Sequence, residues 1–342
     1  MTENTQWIQD FEEPVGPGRS LWADGLRRLR RRPLAMICFA IVLGYFALAA
    51  FEIFTEVQNE IAVKATEKGF PIKKWSIPFT QWNEIVGPSY QKPFAPYTWT
   101  REDGSQVTRR EWFGTDFLGR STFRKTLYGA KTSITVALFA SLISLAIGVP
   151  LGAMAGYFRG WVDDLVLWIL STLDTIPYIV LIMAFAVILR EKPVFGFKLR
   201  GITAVYLAMG LTSWVGICRL IRGEVIKRKE SEYVLAARAI GCSNRRIIFA
   251  HLMPNVFHII IINLSLRFVS FIHAEVILSF LGLGETDKPS WGSMIDAARA
   301  ELARNVWWEM TAATVAIFFI SLALNLFGDA LRDCLDPKLR VD

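Results

Sequence analysis

Three ionisable side chains lie inside long apolar runs of the sequence, where charge is costly. Asp174 lies in the run 165–189, and Arg267 and Glu275 both lie in the run 256–283. A charge at the centre of a bilayer costs about 2.5–3.5 kcal/mol when it faces lipid. We therefore expect all three side chains to face a partner, either within the chain or in another subunit, or a water-filled path.

The spacing of these residues favours neither role over the other. Arg267 and Glu275 are just over two helical turns apart and share roughly one face, so they can pair with each other or line a path. Arg267 can also bind a partner subunit. Asp174 precedes Ile176 and Pro177, where a kink can turn its side chain inward.

Motifs of enzymes and metal sites are absent from the sequence. There is no G-x-x-x-x-G-K-[ST] phosphate loop, no H-E-x-x-H and no G-x-S-x-G. The histidines (His251, His258 and His273) and the four cysteines lack ligand spacing. We expect no catalytic, cofactor or metal site, and an energy source outside this chain.

The composition is that of a membrane protein. The chain is 53% hydrophobic and only 20% charged, and its net charge of +7 comes mostly from basic residues that flank apolar runs, so nucleic acid is not the expected partner. Helices satisfy their own backbone in lipid, which predicts an all-α integral membrane fold. The six predicted transmembrane helices are 33–51, 132–158, 165–189, 201–218, 256–283 and 310–327. Trp307 and Trp308 are expected at the interface of the last helix.

Basic residues predict the orientation. They cluster before the first helix, between helices four and five, and in the tail, all on one side of a six-helix chain. The positive-inside rule makes that side cytoplasmic. The loop between helices three and four disagrees with this orientation, because it would be external and yet is basic. Six-helix parity and the stronger N-terminal cluster outweigh its four basic residues, which are Arg190, Lys192, Lys198 and Arg200.

This topology divides the chain into five parts. They are a cytoplasmic segment 1–32, the first helix 33–51, an external insertion 52–131, a five-helix core 132–331 with a cytoplasmic loop 219–254, and a cytoplasmic tail 332–342. Ala47, Leu48 and Ala49 would suit a signal-peptidase site. The apolar run exceeds the usual length of a signal peptide, which favours a retained helix.

The sequence of the loop between helices four and five predicts two short helices joined by a glycine turn. Residues 232–240 are good helix formers, and Gly241 suits the left-handed position after a helix end. Ser243 can cap a second helix, and Pro254 is expected to limit its straight continuation into the membrane. Ala236, Ala237 and Gly241 would leave a bare surface. Such a helix either docks on another protein or lies at the membrane interface.

The same stretch resembles the cytoplasmic loop motif of ABC importer permeases, E-A-A, three residues, G, nine residues, I-x-L-P. Ala236, Ala237, Gly241 and Pro254 match it. Three positions depart from the motif: Leu235, His251 and Met253. In that family the loop helix sits in a groove of the ATP-hydrolysing subunit. The resemblance implies an ATPase-coupling role for Glu232, Leu235, Ala236, Ala237, Gly241 and Pro254.

Other segments resemble the oligopeptide and dipeptide branch of that family. They are FGTD at 113–116 with Gly119 and Arg120, LSFLGLG at 278–284 with PSWG at 289–292, and GDALRD at 328–333 with LDP at 335–337. From about residue 20 onward the chain resembles the C-type permease subunit of such importers. The external insertion is covered poorly.

The resemblance implies a type I importer fold, with six transmembrane helices and a coupling helix between the fourth and fifth. It implies a bacterial inner-membrane location with both termini cytoplasmic. The implied partners are a second permease, two ATP-binding subunits or domains and an external substrate-binding protein, with ATP and Mg bound by those partners. The expected cargo is a peptide. The alternatives are a nickel chelate, a glycoside or a peptide antibiotic in the same kind of importer, or a transporter or scaffold that uses no ATPase.

Overall fold

The protein is described by a computed structural model that covers residues 21–67, 81–100, 104, 106–191, 201–284 and 288–335. Helices dominate these residues, together with one β-hairpin. The helices are α1 (Leu21–Arg30), α2 (Pro33–Glu67), α3 (Thr122–Phe158), α4 (Trp161–Asp174), α5 (Tyr178–Glu191), α6 (Ile202–Thr212), α7 (Val215–Arg228), α8 (Glu232–Ala239), α9 (Asn244–Arg246), α10 (Met253–Phe280), α11 (Trp291–Leu302) and α12 (Trp308–Leu335). A π-helical segment, Ile247–Leu252, joins α9 to α10. Strands β1 (Pro96–Thr100) and β2 (Gln106–Arg110) pair antiparallel.

Within the described residues, five helical segments are long and apolar enough to cross a membrane. They are Pro33–Thr66, Thr122–Phe158, Ile202–Arg228, Asn244–Phe280 and Trp308–Leu335. The sixth predicted helix, 165–189, is not one straight helix. It is the pair α4 and α5, bent by 93°. Pro177 lies at the bend, where it lacks an N–H donor and its ring excludes a continuous helix. The predicted all-α membrane fold is confirmed.

The helix ends differ from the predicted ones. The first helix continues past residue 51 to Glu67, and the second begins at Thr122 and not at residue 132. The predicted insertion 52–131 is therefore largely helical at both ends, with the hairpin between them. Ala49 is buried against the main core in the middle of α2, so the segment that suited a signal peptide is an integral helix of the fold.

Helix α3 lies at the centre of the fold and packs closely on α7. Three of its glycines, Gly148, Gly152 and Gly156, recur every four residues on the face toward α7. A side chain at Gly152 would meet the backbone of α7 at Cys218, and one at Gly156 would meet the carbonyl of Arg222 at 2.7 Å. Small residues at this spacing let helix backbones approach closely in a membrane.

The FGTD segment and the residues that follow it form a compact cap over one end of the helices. Asp116 accepts hydrogen bonds from the backbone N–H groups of Leu118 and Arg120, both at 2.9 Å. Its other oxygen lies 3.3 Å from the Lys125 ammonium, which also binds Glu309 at 2.5 Å. Because α3 carries Lys125 and α12 carries Glu309, these ion pairs fix the cap to both helices.

Trp308 belongs to this cap and not to a lipid-facing belt. Its indole N–H donates to the carbonyl of Thr115 at 3.0 Å, and the side chain is buried. The side chain therefore faces protein at the end of the last helix, where the sequence suggested a lipid-facing belt. Trp307, its neighbour, is exposed. The hydrogen bond explains the difference, since the cap supplies the polar partner that water would otherwise give to the indole.

The predicted basic clusters meet at the end opposite the cap. Arg32, just before α2, pairs with Asp333 of α12 at 2.8 Å. Arg332 of α12 lines a cavity together with Lys227 and Arg228 of α7 and His258 of α10. Arg190 lies at the cap end, where it binds the carbonyl of Gly284, as helix parity predicted. Residues Lys192, Lys198, Arg200, Lys338 and Arg340 lie outside the described residues.

Glu301 makes the stability of the cap depend on pH. Its side chain is 6% exposed, and one of its carboxylate oxygens has no hydrogen-bond partner among the described residues. Burial raises its pKa to about 7, and the nearby Glu309 carboxylate also raises it. An unfolded glutamate titrates near 4.3. The contribution of Glu301 to stability is therefore fully present below about pH 4.3 and is lost as pH rises through about 7.

We predict that Glu301→Gln stabilises the protein at pH 8 and has little effect at pH 4. Glutamine mimics the protonated carboxyl, so the gain at pH 8 should be up to about 3 kcal/mol. Melting temperatures of the purified protein at both pH values measure it. Asp296→Asn, on the exposed side of the same helix, is the control and should show no such change with pH. Equal melting temperatures of wild type and Glu301→Gln at both pH values would contradict the prediction.

Candidate coupling surface and intramembrane cavity

The loop helix α8 ends in a Schellman motif. Gly241 has a φ of +82°, the left-handed conformation that its sequence position predicted. The N–H of Cys242 donates to the carbonyl of Ala237 at 3.0 Å, and the N–H of Gly241 donates to that of Arg238, also at 3.0 Å. These two bonds satisfy carbonyls that a helix end leaves open. The glycine therefore fixes both where α8 stops and the direction in which the chain leaves it.

The second predicted helix begins as expected but does not end at Pro254. Ser243 caps it by accepting a hydrogen bond from the N–H of Arg246 at 3.4 Å. The helical segment then continues from Asn244 to Phe280, so Pro254 does not end it. The π-helical segment Ile247–Leu252 immediately precedes the proline. Its wider turn accommodates a residue that cannot donate an N–H bond.

One face of α8 anchors the helix to its own subunit. Val234 is fully buried and Ala237 is 4% exposed, and both belong to a core cluster with Ile247 and Leu252. Ala237 is therefore not part of a bare outer surface, which corrects the sequence interpretation. Because 234 and 237 are three residues apart, they lie on the same side of the helix.

The opposite face of α8 is exposed and apolar. Leu235 and Ala236 lie on it, and Ile240 follows at the helix end with 81% of its surface exposed. We call Leu235, Ala236 and Ile240 the loop patch. Sequence reasoning missed Ile240, although the helical repeat that buries 234 and 237 places 236 and 240 on the other side. The remaining coupling candidates Glu232, Gly241 and Pro254 are also exposed.

Glu275 lies inside the subunit and not on a path. Its side chain is 2% exposed, and its two oxygens accept hydrogen bonds from Ser133 at 2.8 Å and Ser279 at 2.7 Å. The hydroxyl of Ser133 also accepts the backbone N–H of Trp291 at 3.4 Å. Through these bonds the carboxylate joins α10 to α3 and α11. The motifs at 278–284 and 289–292 therefore form one packed corner around it.

Arg267 and Glu275 do not pair with each other. Among the described residues, neither takes part in an ion pair within 4 Å. A separation of eight residues rotates the second side chain about 80° past two full helical turns, so the shared face was only approximate. Glu275 points into the bundle core, whereas Arg267 is half-buried at the edge of a cavity.

Two helix interruptions meet at this cavity, which has a volume of about 550 Å³. The first is the bend between α4 and α5, where Asp174 pairs with Arg219 of α7. The second is the break between α6 and α7, where the carbonyl of Ser213 accepts a hydrogen bond from Arg267 Nη1 at 3.2 Å. Asp174 and Arg267 both line the cavity. The structure thus brings two of the three intramembrane charges together and leaves Glu275 apart.

Two models of known protein families match separate parts of the chain. A family model described as "Binding-protein-dependent transport system inner membrane component" matches residues 148–341. A second, described as "N-terminal TM domain of oligopeptide transport permease C", matches residues 20–61.

Several relatives are similar over most of their length. The dipeptide transport system permease protein DppC of Bacillus subtilis is 34% identical, over 98% of this chain and 92% of the relative. The oligopeptide transport system permease protein OppC of the same species is 29% identical, over 97% and 94%. The glutathione transport system permease protein GsiD of Pectobacterium atrosepticum is 33% identical, over 76% and 82%. A solved structure of the MetNI methionine ABC transporter aligns with 61% of this chain at 16% identity and a TM-score of 0.46.

We predict that Gly241→Ala loosens the end of α8, since a left-handed residue with a Cβ costs about 1–2 kcal/mol. The bonds between 237 and 242 should open more often, and trypsin should cut faster at the exposed arginines 238 and 245. Gly223→Ala is the matched control, because Gly223 is helical and open space surrounds it. Alanine there should be neutral or stabilising. Equal cleavage rates for the two variants would contradict the role given to Gly241.

Proposed function

The chain belongs to the family of binding-protein-dependent transport system inner membrane components, and we propose that it is the permease subunit of an ATP-driven importer of peptides. The observation that carries the cargo class is the near-full-length similarity to permeases named for dipeptide and oligopeptide transport. The third relative is named for glutathione, which is itself a small peptide. None of these three relatives is named for a nickel chelate, a glycoside or a peptide antibiotic.

The permease works with partners in this proposal. A second homologous permease completes the pathway, an external binding protein delivers cargo, and two ATP-binding subunits or domains hydrolyse ATP with Mg. The sequence supports this division, because it contains no phosphate-binding loop. The chain itself is then a transporter subunit and not an enzyme. The binding-protein-dependent family also argues against a transporter or scaffold without an ATPase.

The end of the molecule that carries the basic clusters faces the cytoplasm in this proposal. Arg32, Arg332 and the loop after α7 all lie at that end. Cytoplasmic segments of membrane proteins carry an excess of lysine and arginine. Both termini and the loop patch are then cytoplasmic, while the cap and its hairpin face outward toward the binding protein.

The loop patch is the proposed contact with the ATPase. Leu235, Ala236 and Ile240 offer an apolar surface to a groove, and Glu232 adds a charge at the start of the helix. Ala237 does not contact the ATPase in this proposal. It supports the patch from the opposite face of α8, because it packs the helix on the subunit core. Gly241 and Ser243 set the angle between α8 and the next helix.

Movement of the ATPase can reach the membrane along a continuous helix. Residues Asn244–Phe280 form one helical segment that starts beside the patch and contains Pro254, Arg267 and Glu275. A push on α8 would therefore displace the residues that line the cavity. Glu275 holds this helix to α3 and α11, whereas Asp174 and Arg267 are the pathway candidates.

We predict that Ile240→Arg uncouples transport from ATP hydrolysis. A charge in the contact surface would be desolvated without a partner, which typically costs several kcal/mol. In proteoliposomes that hold the full complex, uptake of tri-alanine should fall by at least about tenfold. The protein should still reach the membrane, because this side chain touches little of its own subunit.

Ile240→Leu is the matched control and should transport normally. Ala237→Arg should behave differently from Ile240→Arg, since it buries a charge in the subunit core and should lower the amount of folded protein. Normal ATP-driven uptake by Ile240→Arg, at normal protein levels, would refute the coupling role of the patch.

A further inference from the structure

Arg267 is the feature of the membrane region that the coupling role leaves unexplained. Within the part of the chain that the structure describes, its guanidinium donates to a neutral acceptor, the carbonyl of Ser213. Asp163, by contrast, has a counter-charge, because Arg222 donates to its two oxygens at 2.5 and 2.8 Å. A guanidinium group has five N–H donors and suits a carboxylate in bidentate geometry.

The fold makes room for this guanidinium. Gly216 lies opposite it on α7, and a methyl group at that position would collide with Nη2 of Arg267. The side chain therefore rests against bare backbone and keeps its head at the cavity. Ser270 and Asn263, one turn away on either side, line the same cavity. Tyr178 adds a hydroxyl, bonded to Ser213 Oγ at 3.1 Å.

The cavity has a continuation toward the basic end. A second cavity, of about 570 Å³, shares Asn263 and Leu266 with the first, so the two adjoin along α10. Lys227, Arg228 and Arg332 line the second cavity, with Glu224 as its acidic residue. On α10, Asn263, Arg267 and Ser270 lie within about 60° of one another around the axis and span about 10 Å along it. Positive charge borders both cavities, from Arg267 in the first and from Lys227, Arg228 and Arg332 in the second.

We propose that Arg267 binds a carboxylate group of the cargo as the cargo passes through the subunit. This inference rests on the proposed importer function and adds the chemistry of the ligand. A volume near 550 Å³ holds a small organic molecule such as a di- or tripeptide. The basic residues of the second cavity then attract the same anionic group onward, so no single site holds it too tightly for release.

The test measures the electrostatic potential beside Arg267 in the assembled complex. The four native cysteines are replaced by alanine, and Ser270→Cys supplies one thiol in the cavity, because Ser270 is exposed there. Its rates of reaction are measured with an anionic and a cationic methanethiosulfonate reagent, ethylsulfonate and ethyltrimethylammonium. We expect the anionic-to-cationic ratio of rates to fall about tenfold when Arg267→Met is added, since one charge is lost a few ångströms away.

Two further variants and two peptides sharpen the test. Gly216→Ala should lower the ratio too, because it displaces the guanidinium without removing it. Arg299→Met removes an arginine from α11, outside the cavity, and should leave the ratio unchanged. Tri-alanine should protect the thiol from reagent, and its C-terminal amide should protect at least about tenfold less.

An unchanged ratio in Arg267→Met, or equal protection by tri-alanine and its amide, would overturn the inference. So would loss of the partner permease from the Arg267→Met complex, because Arg267 would then bind a carboxylate of that subunit. ATP-driven uptake of tri-alanine by the parent complex is measured on the same vesicles. Absent uptake there would count against the importer function, while the rate ratio would still report whether the cavity attracts anions.

Discussion

The structure depends on one constraint: ionised side chains in the membrane region must find protein partners in place of water. The bilayer core offers no solvent to a carboxylate, so donors from the surrounding protein stabilise a buried one. Glu275 finds them on Ser133 of α3 and on Ser279 of its own helix, and because Ser133 also accepts the N–H of Trp291, these bonds link α10, α3 and α11. Asp163 and Arg222 join α4 to α7 in the same way. Arg267 has no counter-charge within 4 Å among the described residues, and its guanidinium borders a cavity.

The interrupted helices follow from the same constraint. Broken helical backbone exposes carbonyl and N–H groups, which are tolerated at membrane depth only where protein or a water-filled cavity surrounds them. Both interruptions, at the α4–α5 bend and at the α6–α7 break, border the cavity of Arg267. The glycines of α3 have the opposite effect, because they bring the backbone of α3 close to α7. The closely packed and the open surfaces of α7 therefore lie on different faces of that helix.

The sequence predicted the features that solvent and backbone chemistry impose directly. Apolar runs predicted the membrane helices because length and hydropathy report on lipid. Gly241 was predictable because only a residue without Cβ takes its conformation easily. Ends of helices were not predictable in this way: α2 continues to Glu67, since a helix does not stop where the lipid stops. Trp308, Ala237 and Glu275 depended on tertiary partners that no local pattern encodes.

Direct contact between the loop patch and an ATP-binding subunit is the central claim. A photo-crosslinking amino acid placed at position 240 of the full complex measures it, with the exposed position 117 of the cap as the reference. The account predicts a covalent product with the ATP-binding partner from position 240 and none with it from position 117. A complex that holds the ATP-binding partner, yet gives no such product from position 240, would contradict the account.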